Sequence, residues 1–507
     1  MKTVWRSTIG DLLRRSARRD PSRTALHFES RTWTYRSLDQ AASRVAARLL
    51  ALGLRKGDRV AAYGKNSDAY LLLFLGCARA GLVHVPVNFA LTGEELAYIV
   101  NQSGSHAMFH DPSLEDKVTA VRARLGVAHH GTLRGGREHD VLLWASEGPA
   151  EEPALEVGED DLAQLLYTSG TTAAPRGAML THRALVHEYT SCIAALDFAA
   201  SDRPLHCLPL YHSAQMHVFV MPYLAVGAEN WLLEGPDPKA VLEGVERLAV
   251  TSFFAPPTFW IGLLNHPDFK TRRLGSLQKA YYGASIMPVP ILKELEKALP
   301  GIGFYNCFGQ SEIAPLATVL RPEEHAARPE SAGRAVLFVE MRVVDDALAD
   351  VAPGGVGEVV YRSPQLCLGY WDKPEETAEA FEGGWFHSGD LARIDAEGYI
   401  TIVDRKKDVI NTGGVVVASR EIEDQIYTHP AVKEVAVIAT PHPKWIEAVT
   451  AVVVPKPGTR PTADEIIAHA RERLAHFKVP KVVHFAEDLP RNASGKILKR
   501  TLRDRYR

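Results

Sequence analysis

The stretch Tyr167-Thr-Ser-Gly-Thr-Thr-Ala-Ala-Pro-Arg-Gly177 constrains this chain more than any other. An apolar, strand-like run over residues 162–167 passes directly into hydroxyl and glycine residues, and a helix-like run begins at Thr181. Small residues let a backbone approach a ligand closely. Hydroxyls and main-chain N–H groups converge on oxygens, and Arg176 adds positive charge, which together is the chemistry of a phosphate cradle. No Gly-Lys-Ser/Thr closes the loop, so it is not the P-loop of nucleoside triphosphatases. Alone, the stretch reads equally well as a turn between two core elements.

Its surroundings favour a layered α/β fold. Residues 37–54 place Leu38, Ala42, Val45, Leu49 and Leu52 at helical spacing, with Gly53 near the end. Strand-like Arg59–Tyr63, a helical run over 70–80 and strand-like Val83–Val87 follow, the succession that builds a parallel sheet with covering helices. Residues 110–151 carry no clear period. The alternation resumes with a helix over 181–195 and strands over 206–209, 251–254 and 278–282, the last entering Gly283-Ala-Ser285. In open α/β sheets ligands lie beyond the carboxyl ends of strands, so several such turns predict one shared cleft. From about residue 340 the texture becomes β-rich, with glycine-broken runs at 356–361 and 398–403. The charged Asp404-Arg-Lys-Lys-Asp408 then precedes a smaller α+β tail.

Composition closes off other classes. With 507 residues the chain exceeds one hydrophobic core, and a net charge of −3 gives no footprint for nucleic acid. No eighteen-residue apolar run predicts a membrane span, and the basic N-terminal segment lacks the apolar core of a signal peptide. The five cysteines are scattered without metal or redox spacing, which suits a reducing cytoplasm.

Further motifs follow the opening loop in order: Phe308-Gly-Gln-Ser-Glu312, Trp385-Phe-His-Ser-Gly-Asp390, Asp404-Arg-Lys-Lys-Asp408 and Pro490-Arg-Asn-Ala-Ser-Gly-Lys496. Together with residues 167–177 they make the chain resemble the adenylate-forming superfamily of acyl-CoA synthetases, peptide-synthetase adenylation domains and firefly-type luciferases. Within it the tail segments, including His442-Pro-Lys-Trp-Ile-Glu-Ala448, look most like fatty-acyl-CoA synthetases. The resemblance implies a large multi-layer N-terminal α/β domain with a β-rich subdomain (1–404) and a small mobile C-terminal α+β domain (405–507), with the active site between them. It also implies two half-reactions. A carboxylate attacks the α-phosphorus of ATP to give an acyl-adenylate and pyrophosphate, and a thiol, commonly that of CoA, then attacks the activated carbonyl.

By that resemblance Thr168, Ser169, Gly170, Thr171 and Thr172 hold the β- and γ-phosphates with support from Arg176, which stands where lysine is usual. Glu312 binds Mg²⁺, with Thr172 as a second ligand. Phe308 lies against adenine, Gly309 and Ser311 follow it, and Gly283, Ala284, Ser285 and Asn306 border the nucleotide. Asp390 accepts from the ribose hydroxyls, Ile402 lies beside it, and Arg405 reaches ribose or phosphate. Lys496 is the catalytic lysine, drawing the carboxylate and the α-phosphate together. His212 stands at the acyl and phosphate entrance, and Met216, Phe254, Pro256, Tyr282, Gly283, Ala284 and Ile286 are candidates for the acyl pocket, although an apolar core stripe explains most of them equally well. Lys407 sits at the pivot.

One departure concerns the acceptor. After Gly413-Gly414, where related synthetases carry a polar Glu-Asn pair, this chain has Val415 and Val416. Two β-branched apolar side chains remove hydrogen-bonding partners from the loop that would meet the pantetheine thiol. A sizeable apolar acid activated by ATP and Mg²⁺ and passed to CoA is the leading expectation. Transfer to a separate acyl-accepting enzyme or carrier protein and luciferase-like oxidation of the adenylate are the alternatives. The sequence leaves the identity of the acid and a homodimer open.

Overall fold

The computed structural model describes residues 4–135, 138–168, 174–406, 408–412, 415–443, 445–491 and 497–506, with the backbone alone at Val416. The chain forms two compact units. The larger comprises Met1–Pro329, Gly333–Glu340 and Arg362–Phe386; the smaller comprises Glu330–Ala332, Met341–Tyr361 and His387–Arg507. The expected α/β architecture is present.

Two sheets organise the larger unit. In the first, six strands run in the order His129–Thr132, Ser105–His110, Arg59–Tyr63, Val83–Val87, Leu162–Thr168 and Arg176–Thr181. All neighbours are parallel except the last pair. Tyr63, Val83, Val85, Val87 and Met108 pack with Leu96, Ile99 and Val118 from covering helices, which is why these strands read as nearly unbroken apolar runs. The second sheet has nine strands. Its parallel centre includes Pro204–His206, Ser252–Ala255, Lys279–Gly283 and Gly303–Gly309, and antiparallel Leu316–Leu320 follows the last of these.

Local chemistry moved several expected boundaries. The helix expected over 37–54 runs Tyr35–Ala51, because the Thr34 side chain caps it by accepting from the Ser37 N–H. The stretch after the hydroxyl run does not proceed straight to a helix. Arg176–Thr181 is a strand antiparallel to Leu162–Thr168, with Thr168 opposite Arg176. The helix His182–Ala195 starts only after Thr181, whose side chain accepts from the Ala184 N–H. The region without a period holds the edge strand His129–Thr132 and several elements of seven residues or fewer, too short to show periodicity.

In the smaller unit, a four-stranded sheet runs Glu340–Val344, Val356–Arg362, Phe386–Ile394, Ile400–Arg405. A five-stranded sheet centres on the antiparallel pair Val432–His442 and Ile446–Pro455. That pair is buried on both faces. Val435, Val437, Val449, Ala451 and Val453 pack with Ile422 and Ile466 of two helices, while Ala436, Ile438, Val452 and Val454 pack with Leu502 of the last helix, Lys499–Arg505. Val415–Val417, expected as a loop, is a strand paired antiparallel with Ile410–Thr412. β-Branched residues suit a pleated surface better than an irregular one. Val415 is 44% exposed there and Val417 is buried.

Candidate active site

Thr168 ends its strand and Glu312 lies on the short 3-10 turn Ser311–Ile313, yet the two meet. The Thr168 hydroxyl donates to Glu312 Oε1 at 3.1 Å. The Tyr370 hydroxyl donates to the same oxygen at 3.2 Å. Burial, then the Glu312 charge, push the Tyr370 hydroxyl pKa upward against the opposing pull of Arg176, so Tyr370 acts as a donor at neutral pH. The Arg176 guanidinium lies 4.3 Å from the centre of the Tyr370 ring, a cation–π contact. Its Nε is buried with no hydrogen-bond partner among the described residues. Glu312 is 8% exposed, and no lysine or arginine among the described residues forms an ion pair with it. Its carboxyl group is therefore held by neutral O–H donors among the described residues. The side-chain oxygens of Ser311 and Ser213 are 3.0 Å apart.

Two glycines let the backbone close up around this region. A Cβ at Gly309 would fall 1.9 Å from the Pro315 carbonyl oxygen, and one at Gly283 would fall 2.2 Å from the Cys307 carbonyl oxygen. Ala284 follows in the left-handed region at φ 63° and is exposed, Ser285 is half-buried and Ile286 is exposed. Asn306 and Phe308, half-buried, belong to the strand Gly303–Gly309 beside Lys279–Gly283, with Tyr282 opposite Asn306.

Asp390 and Arg405 meet in the smaller unit. They face each other across antiparallel strands, and Arg405 Nε lies 2.6 Å from Asp390 Oδ1. Asp390 is buried, as is Ile402, which lies in register with Ala392. The hydroxyl of Tyr361 is buried, and burial followed by the Asp390 charge pushes its pKa well upward. The backbone N–H groups of Ser419 and Arg405 both donate to Asp404, at 2.6 and 2.7 Å, which fixes the start of the charged segment.

The acyl-pocket candidates do not form one set. Phe254 stacks on Phe219 with ring centres 4.3 Å apart and planes at 18°. Phe219 also contacts Tyr281, which contacts Phe198, and Phe198 stacks on Tyr223 at 3.9 Å. Tyr282 is on the other side of the sheet. It packs with Phe253, Trp260 and Phe304, and its hydroxyl meets His325 Nε2 at 2.9 Å. Successive residues of a strand point to opposite faces, and Phe254 is in register with Tyr281, not Tyr282. Tyr282 is thus a core residue, a correction to its place among the pocket candidates. Met216 is buried on the π-helical turn Ala214–Val220, His212 is half-buried just before it with Nδ1 accepting from the Ala214 N–H at 3.3 Å, and Pro256 is buried.

Ser169, Gly170, Thr171, Thr172, Lys407, Gly413, Gly414 and Lys496 lie outside the described residues, as does the side chain of Val416. Sequence reasoning missed Tyr370, which is 58 residues from Glu312 on an irregular segment.

Residues 13–371 match the AMP-binding enzyme family, and residues 421–496 match the AMP-binding enzyme C-terminal domain. A feruloyl-CoA synthase of Amycolatopsis is 38% identical over 97% of this chain and 98% of its own. The long-chain-fatty-acid–CoA ligase FadD13 of Mycobacterium tuberculosis is 35% identical over 98% of each. Among solved structures, the anthranilate CoA ligase AuaEII in complex with anthranoyl-AMP superposes with a TM-score of 0.92 at 27% identity, covering 99% of this chain and 97% of that one.

Proposed function

The chain belongs to the AMP-binding enzyme family as an adenylate-forming acyl-CoA ligase, and from that premise we propose that the acid it activates is planar and aromatic. The observation behind this choice is the Phe254–Phe219 stack, backed by the buried rings of Tyr281, Phe198 and Tyr223. Ring faces and edges pack favourably against a flat aryl group by offset or edge contact. The names feruloyl-CoA synthase and anthranilate CoA ligase among its likenesses support an aryl acid, while the similarity to a long-chain ligase supports a longer, aliphatic one. Pyrophosphate exchange with hydroxycinnamates, benzoates and palmitate decides between them. An exchange rate with palmitate equal to or above that with every aryl acid defeats the aryl reading.

The reaction follows two displacements. A carboxylate oxygen bonds to the α-phosphorus of ATP as pyrophosphate leaves, and the sulfur of CoA then bonds to the acyl carbon as AMP leaves. Thr168, the 169–172 run and Arg176 orient the β- and γ-phosphates, a task of positioning and charge stabilisation. Asp390 and Arg405 orient the ribose, Phe308 and Asn306 border the base with Gly283, and Lys496 neutralises the approach of two anions. Domains 1–404 and 405–507 divide this work, with Lys407 as the pivot.

Glu312 fits a divalent hard cation. Among the described residues its oxygen accepts from neutral hydroxyls, and a magnesium ion takes one or two carboxylates together with phosphate oxygens and water. When bound, such an ion disperses charge on the phosphate oxygens. Glu312, with Thr172, would hold it. The Val415–Val417 strand bears on the acceptor, and CoA is the acceptor proposed over a separate carrier protein. The purified chain should form thioester with CoA alone; adenylate that accumulates without thioester favours a separate acceptor. No described helix is long and apolar enough to cross a membrane, and the five buried free cysteines accord with a reducing cytoplasm.

A further inference from the structure

Glu188 is a fully buried carboxylate with no part in the scheme above. It lies on the helix His182–Ala195, just past the strand that leaves the hydroxyl-rich stretch. Burying a carboxylate is costly unless donors satisfy it. Glu188 Oε1 accepts from the Leu316 N–H at 2.9 Å and from the Cys192 thiol at 3.2 Å. Oε2 accepts from Gln365 Nε2 at 2.6 Å.

Gln365 is equally buried, and its amide is used in full. Its oxygen accepts from the Ser191 hydroxyl at 2.6 Å, and Nε2 also donates to the Leu316 carbonyl at 3.1 Å. These contacts involve two segments that follow Glu312. Leu316 lies four residues beyond it, and Gln365 begins the segment that continues to Cys367 and Tyr370. The Cys367 N–H donates to the Glu312 carbonyl at 2.8 Å, and the Tyr370 hydroxyl donates to the Glu312 side chain at 3.2 Å. The buried Glu188–Gln365 pair thus ties the helix to Leu316 and to the segment whose Cys367 and Tyr370 bond the main chain and side chain of Glu312.

We propose that Glu188 and Gln365 are positioning residues for Glu312, joining the helix after the hydroxyl-rich stretch to the two segments that aim the Glu312 carboxylate. The inference rests on Glu312 belonging to the triphosphate side of the nucleotide site. In Glu188→Gln the new amide sets an N–H against the Gln365 N–H donors or the Leu316 N–H. Gln365 can face it with its oxygen only by rotating its N–H groups away from the Leu316 carbonyl. The Glu312 turn loosens while the volume of the core is conserved.

The test measures equilibrium binding without acid present, so that turnover is not the readout. Titration calorimetry of the full chain with ATP in excess Mg²⁺, and with AMP, is run for the native protein, Glu188→Gln, Gln365→Met and Glu312→Gln, alongside melting temperatures. Outer positioning partners of this kind typically change affinity by about 10-fold or more. Glu188→Gln should weaken Mg·ATP by about that factor and leave AMP, which lacks the β- and γ-phosphates, within about 2-fold. Unchanged Mg·ATP affinity, or an equal loss for ATP and AMP, overturns the proposal. If Glu188→Gln does not fold, Gln365→Met enters the same network from the other segment and is judged by the same split. If Glu312→Gln itself binds Mg·ATP normally, the assignment of Glu312 fails; if it loses Mg·ATP while both network variants retain it, only the positioning role fails.

Discussion

Two buried carboxylates in the two units are held in opposite ways. Glu312 in the larger unit accepts from two neutral hydroxyls, Thr168 and Tyr370, and forms no ion pair with lysine or arginine among the described residues. Asp390 in the smaller unit has a guanidinium nitrogen of Arg405 2.6 Å from its oxygen. A carboxyl group fixed by neutral donors leaves an incoming cation as its first charged partner. One already paired with arginine has its charge largely compensated and serves better as an oriented acceptor for hydroxyls. The same functional group is thus held in two different electrostatic settings by the charge of its partners.

The largest expected effect breaks this contrast at Glu312. Glu312→Gln keeps the shape and hydrogen bonding to Thr168 and Tyr370 but removes the charge. It should lower kcat/KM for pyrophosphate exchange by about 100-fold or more, as the loss of a charged stabilising group does. Lys496→Ala should lie in the same range, with the folded state intact by circular dichroism; normal exchange in that variant removes lysine from the chemistry. Asp390→Ala comes next, and should raise KM for ATP by about 10- to 100-fold through lost hydrogen bonds to a buried group and an Arg405 left without this carboxylate. A KM within about 2-fold of the native value would exclude a ribose role.

Smaller changes sharpen the contrast. Phe254→Leu removes one ring of the stack while retaining bulk, and should shift the ratio of aryl to alkyl acid use by about 10-fold toward alkyl acids, the scale of pocket-shape discrimination. An unchanged ratio in competition assays puts the acid elsewhere. Thr168→Val leaves Tyr370 as the donor to Glu312 and costs about 1 kcal/mol, a few-fold in KM for Mg·ATP. If it is silent, the Thr168–Glu312 contact at 3.1 Å does not hold the carboxylate in solution.

What the sequence made legible follows from what is local. Strand–helix alternation from Arg59 to Val87 needs only neighbouring residues, and those elements stand where their periods put them. The partnership of Thr168 with Glu312 spans 144 residues, and the third member, Tyr370, sits on a segment with no period at all. Motif order placed the first two near a nucleotide but said nothing of their contact. Tyr282 illustrates a different limit. Position along a strand was readable, but which face it occupies depends on the phase of the pleat. Register with Phe254 belongs to Tyr281, so Tyr282 points into the helix-packed core. Glu188 and Gln365, 177 residues apart, read as an unremarkable helix residue and a loop residue until burial forces their pairing.

The most direct test of the contrast between the two carboxylates compares Mg·ATP with AMP as ligands of Glu312→Gln and Asp390→Ala by titration calorimetry. AMP carries the ribose but not the β- and γ-phosphates. Glu312→Gln should therefore lose Mg·ATP affinity and keep AMP affinity, while Asp390→Ala should lose both. Equal losses for the two ligands in Glu312→Gln, or full retention of AMP binding in Asp390→Ala, would contradict the division of labour between these carboxylates.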